Sequence, residues 1–164
     1  MYLGNDSKVV VPEGIKSLDF CCFFPNYKPS DFDIHDLEFE ENDLNETLEE
    51  VVLPNSLENI EAYCFNKLES LKSIVIPDNV NTISNYAFAD CKNLNTVHFG
   101  EGLKTIKEGA FSGCSLKEVH LPFDCVVDDK AFDEHVKIVR DVKFKQEEST
   151  SLKGKQDIKK KNKI

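Results

Sequence analysis

The sequence predicts a repeat solenoid, a coil of short parallel strands stacked turn upon turn. Three observations carry that prediction. An apolar skeleton recurs at a fixed interval: Val51, Ile74 and Val97 are equivalent and lie 23 residues apart, and Val119 follows after 22. Each copy keeps the same internal spacing, seen in residues 71–93 as Leu71, Ile74, Ile76, Val80, Ile83, Phe88 and Cys91. One copy alone would leave both ends of its apolar stripe in water, so stability requires stacking. Self-similarity at 20–29 residues therefore outranks any single-residue motif in this chain.

Within one copy, Ile74 and Ile76 have strand period and Ile-Val-Ile is β-branched, which predicts a short strand ending at Pro77. Proline has no N–H to donate, so the ladder stops there. Asp78-Asn79 turns the chain, and Val80 and Ile83 return it to the interior at a spacing of three. Tyr86-Ala87-Phe88 closes the far side through a turn or a short helical segment. Stacked copies place their strands about 4.8 Å apart in a parallel ladder.

The copies follow in order. Val9, Val11, Pro12, Ile15, Leu18 and Phe23 share the spacings, so residues 1–23 form a first coil or cap. Pro25, Pro29 and Ser30 mark a loop, and Ile34, Leu37 and Phe39 predict the strand of a truncated acidic coil within 24–47. Regular repeats fill 48–137, the last carrying Leu116, Val119, Leu121, Pro122 and Phe132. A terminal cap spans 138–145, which makes residues 1–145 a solenoid of about five coils. Residues 146–164 are polar and lysine-rich and predict a disordered tail.

Composition narrows the function. A chain of 164 residues that is 40% apolar suits one folded domain. The 12 Phe and absent Trp show the large apolar residue used repetitively. No apolar run of about 18 residues predicts a membrane span. The start, MYLGNDSKVVVP, lacks the basic and apolar regions of a signal peptide, so a cytoplasmic location is expected. A monomer is the expected state. The net charge of −10 includes a basic tail, so the folded part is more acidic still, which disfavours nucleic acid. Residues 31–50 hold ten of the acidic side chains, from Asp31 to Glu50, with no Lys or Arg between. They read as a solvated rim or as a docking surface for a basic protein partner.

The six cysteines read as packing groups. Cys91 and Cys114 each follow a phenylalanine by three residues and form an inward column, with Leu68 and His135 in the corresponding slots. Cys21, Cys22, Cys64 and Cys125 lack the C-x-x-C spacing of a structural zinc site. Thiols in a cytosolic setting stay reduced.

Strand alternation names a candidate face. If Ile74 and Ile76 point inward, Ser73 and Val75 point outward. The equivalent outward columns are Asp36, Glu50, Ser73, Thr96, Glu118 and Glu38, Val52, Val75, His98, His120. Their order predicts a surface with an acidic end, an apolar middle and a histidine end. No phosphate-binding Gly-rich loop, G-x-S-x-G motif or nucleophile with a base is present, so neither catalysis nor a cofactor is expected. The favoured reading is a non-enzymatic protein-binding face. The alternative is a metal- or redox-responsive module, using His98, His120 and the nearby Glu118, or the Cys column.

The pattern L-x-x-I-x-I-P-x-x-V-x-x-I-x-x-x-A-F-x-x-C over residues 71–91, with Ala-Phe recurring at 87–88, 110–111 and 131–132, resembles the BspA-type (Treponema pallidum-like) leucine-rich repeat family. The resemblance covers roughly residues 9–138. It implies a right-handed leucine-rich-repeat coil with parallel strands along one face. It further implies a protein-interaction or adhesion module, with the cell surface as the alternative location. In an exported chain, Asn5-Asp6-Ser7 and Asn45-Glu46-Thr47 would be glycosylation acceptors.

Overall fold

In a computed structural model of the chain, the structure describes residues 6–23 and 47–141. One side of the molecule carries β1 (Lys8–Val10), β3 (Glu50–Val52), β5 (Ser73–Ile76), β7 (Thr96–Phe99), β9 (Glu118–Leu121) and β11 (Lys137–Arg140). A second side carries β2 (Ser17–Leu18), β4 (Asn59–Ile60), β6 (Thr82–Ile83), β8 (Thr105–Ile106) and β10 (Val126–Val127). Every strand pair is parallel, as stacked coils require.

The chain turns out of β3, β5, β7 and β9 in the same way. The N–H of Leu57, Val80, Leu103 and Cys125 donates to the carbonyl of Pro54, Pro77, Gly100 and Pro122, at 3.1, 3.1, 3.3 and 3.1 Å. The apolar side chain three residues past that proline or glycine is thereby brought inside, and Cys125 fills the slot of Val80.

The return segment differs from expectation. It forms a continuous sheet in the order β10-β8-β6-β4-β2, with Leu18, Ile60, Ile83, Ile106 and Val127 in register. The far side then closes through hydrogen-bonded turns, with no helix among the described residues. In three of the turns two positions hold positive φ, Tyr63 (55°) with Lys67 (56°), Tyr86 (55°) with Asp90 (59°) and Gly109 (65°) with Gly113 (72°), and such a backbone cannot propagate a right-handed helix. The turn N–H groups donate instead to the next coil: Phe65 to Ala87, Phe88 to Ala110 and Phe111 to Ala131, at 2.7–2.8 Å. Backbone in the turns is thus satisfied between coils, as it is in the second sheet.

Phe23, Phe65, Phe88, Phe111 and Phe132 stack as one column, with centroids 4.7, 4.6, 5.0 and 5.1 Å apart. Leu48, Leu71, Leu94 and Leu116 form a second buried column. Two expected inward residues are not inside. Ile15 is exposed, although Val11, Leu18 and Phe23 of the same coil are buried. His135 is exposed and Val136 packs against the core, in a copy that runs only 19 residues from Val119 to its ladder partner Ile138.

The first coil sits directly against the second, since β1 pairs with β3 through Val9 and Val51. The loop near Pro25, the strand expected around 34–39, the second half of the predicted terminal cap (142–145) and the tail at 146–164 lie outside the described residues.

Candidate functional site

The side built from β1, β3, β5, β7, β9 and β11 presents two outward columns. Ladder register aligns Lys8 with Glu50, Ser73 with Thr96, and Glu118 with Lys137. It likewise aligns Val10 with Val52, Val75 with His98, and His120 with Val139. All eight residues named from the sequence (Glu50, Val52, Ser73, Val75, Thr96, His98, Glu118 and His120) are exposed on this side, while Val51, Ile74, Ile76, Val119 and Leu121 are buried beneath them.

One feature of the expected surface is corrected. The positions beside Glu50 and Val52 belong to Lys8 and Val10, and Asp36 and Glu38 lie outside the described residues. Lys8 Nζ meets Glu50 Oε1 at 2.8 Å, so this end is charge-paired, not acidic. The other end mirrors it, with Lys137 Nζ 2.6 Å from Glu118 Oε2. Between them Val10, Val52 and Val75 are 61%, 40% and 62% exposed, an apolar run unusual for a strand face open to water. Sequence reasoning missed Val10 and Val139, although Val9 and Val11 flank Val10 with the alternation seen around Val75.

The backbone ladder on this side is divided into β1-β3, β5-β7 and β9-β11. A cleft of about 310 Å³ lies between β7 and β9, lined by Thr96, His98, Phe99, Glu118, His120 and Asp141 among others. It coincides with the one-residue shortening of the repeat near Ser115. Within it, His120 Nε2 is 3.1 Å from Glu118 Oε1 and its Nδ1 is 3.9 Å from Asp141 Oδ1. Hydrogen bonds from Lys137 first, and then from His120, hold the Glu118 carboxyl below its usual range.

His98 lines the cleft, but no three His, Cys, Asp or Glu side chains among the described residues gather as a metal-binding group. The Cys column is packed. Cys91 and Cys114 donate to the carbonyls of Phe65 and Phe88 at 3.0 and 3.2 Å. Burial pushes the Cys91 thiol well up and that of Cys114 to about 12, so both are protonated at neutral pH. No helix among the described residues is long and apolar enough to cross a membrane.

Comparison with known proteins follows the same outline. The sequence pattern described as the BspA type leucine rich repeat region matches residues 38–139, in six copies. Among solved structures, the pneumococcal vaccine antigen PcpA is similar at a TM-score of 0.54 and 22% identity, over 84% of this chain and 42% of that one. The T. pallidum leucine rich repeat protein TpLRR is similar at a TM-score of 0.54 and 20% identity, over 84% of this chain and 75% of that one. These likenesses are of fold. Comparison with curated proteins gives no match. With stacked parallel coils and a repeat pattern spanning most of its length, the chain belongs to the BspA-type leucine-rich repeat family.

Proposed function

We propose that the chain is a non-enzymatic protein-binding or adhesion module, engaging its partner through the outward columns of β3, β5, β7 and β9. The observation that carries this reading is the exposed run Val10, Val52 and Val75, set in a sheet whose opposite face is committed to the core. Isolated exposed valines are ordinary, but Val10 and Val52 are ladder partners and Val75 holds the equivalent position on the adjacent strand β5, which makes a shared apolar contact surface. The lysine–glutamate pairs at both ends and the histidine-lined cleft supply a polar rim, the arrangement of a protein interface. Because the strands are held by the coil stack, the face is preformed and binding it orders little. A cell-surface adhesion role is the reading favoured by the similarity to a molecule named as a vaccine antigen. The organisation into a first coil, an acidic insertion, regular repeats and a terminal cap is proposed on the same footing.

Site-specific photo-cross-linking tests the face. A benzophenone side chain placed at Val75 should trap a protein partner in extracts or on cells from the native source. The same group at Lys107, exposed just past β8 on the second side, should not. Trapping at 107 with none at 75 would assign binding to the wrong side of the coil.

A further inference from the structure

We propose that Cys22 and Cys64 form a disulfide that clamps the first coil to the second. The Sγ atoms are 2.6 Å apart, only about 0.6 Å beyond a bonded sulfur pair and closer than two unbonded sulfurs can rest. Their coils are already aligned around them: β2 pairs with β4, Phe23 stacks on Phe65 at 4.7 Å, and Phe20 meets Tyr63 at 5.4 Å. The bond would therefore form without moving the backbone far. Cys91 and Cys114, which form a separate column, behave differently, since their thiols donate to backbone carbonyls.

The position suits a staple. Neighbouring coils elsewhere follow one another at 19 to 23 residues, whereas Cys22 and Cys64 lie 42 positions apart. The first coil is thus tethered to the stack by a longer connection than joins any other pair of laddered coils. A cross-link closing a long loop removes the most freedom from the unfolded chain.

The chemistry balances with a low-molecular-weight disulfide as oxidant. Cys22 is half-buried and reachable, whereas Cys64 is fully buried, with its thiol pushed well up by that burial. The Cys22 thiolate attacks the small disulfide, forming a mixed disulfide and releasing one small thiolate. Cys64 then gives up its proton to that thiolate or to water and attacks Cys22 Sγ, expelling the second small thiol. Two protein thiols are oxidised by two electrons, and one small disulfide is reduced to two thiols. The clamp is accordingly formed in an oxidising compartment and open in a reducing one.

The test uses the full chain equilibrated with oxidised or reduced glutathione. Oxidation should remove two titratable thiols and two hydrogens of intact mass, and should raise the melting temperature by roughly 5–10 °C. Cys22→Ser and Cys64→Ser should each abolish both changes, while Cys21→Ser and Cys91→Ser should keep them. Because Cys22 is not fully buried, C22S provides a folded control even if C64S is unstable. A full thiol count after oxidation, loss of the thiol pair in C22S, or a lasting glutathione adduct on Cys22 would each overturn the assignment.

Discussion

Single residues in this chain act through the copy above and the copy below. Phe88 is buried with Phe65 at 4.6 Å on one side and Phe111 at 5.0 Å on the other, the rings within 4° of parallel. Phe88→Ala removes both stacking contacts and leaves a cavity that neighbouring coils cannot fill without losing their own hydrogen bonds. A loss of about 3–5 kcal/mol is expected in denaturant unfolding, and a loss under about 1 kcal/mol would contradict the register. Gly109 shows the same dependence in the backbone. It holds φ at +65°, and a Cβ there would fall 2.2 Å from the Tyr86 ring. Gly109→Ala should therefore cost about 1–3 kcal/mol, from the left-handed backbone and the displaced ring together. Truncating the ring first separates the two causes. In a Tyr86→Ala background, unfolding measurements should show a smaller added cost for Gly109→Ala.

Among the elements, the strands of the candidate face were the most legible in sequence. In residues 73–76 two β-branched inward residues alternate with Ser73 and Val75, and Pro77 ends the run, so existence, boundary and facing all follow from local chemistry. The second sheet was hidden for a physical reason. Its strands are two residues long and place one side chain each in the core, as Ile83 and Ile106 do, so no period-2 alternation exists to detect. The available signal was repetition: Thr-Ile recurs at 82–83 and 105–106, with Asn-Ile at 59–60. Of the turn and the short helical segment that the sequence left open, the turn is what forms, because non-glycine residues, Tyr86 and Asp90, hold left-handed conformations that only the stacked neighbour makes affordable. The site shows the same division. The outward positions of β3, β5, β7 and β9 follow from alternation, whereas Lys8 and Val10 depend on which coil lies beside β3, a non-local fact that spacing alone assigned to Asp36 and Glu38.

At the scale of the whole molecule, the stack assigns separate duties to its sides. The second sheet runs unbroken through β2, β4, β6, β8 and β10 and holds the coils in register. The first side has its ladder divided into pairs and displays valines, histidines and paired charges outward. Core positions are fixed by contacts above and below, so the outward columns are free to vary without loss of fold. Substitutions on the two sides should accordingly separate binding from stability. The most direct measurement is partner affinity for the Val75→Glu, His98→Glu double variant, set beside Lys107→Glu and the unaltered chain, with circular dichroism and melting recorded for all three. The double variant should lose binding by at least about 100-fold, as expected for charge placed in an interface centre, and should keep its spectrum and melting transition. Lys107→Glu should bind as the unaltered chain does. Loss of binding in Lys107→Glu, with the double variant unimpaired, would contradict the assignment of the strand-lined face as the functional surface.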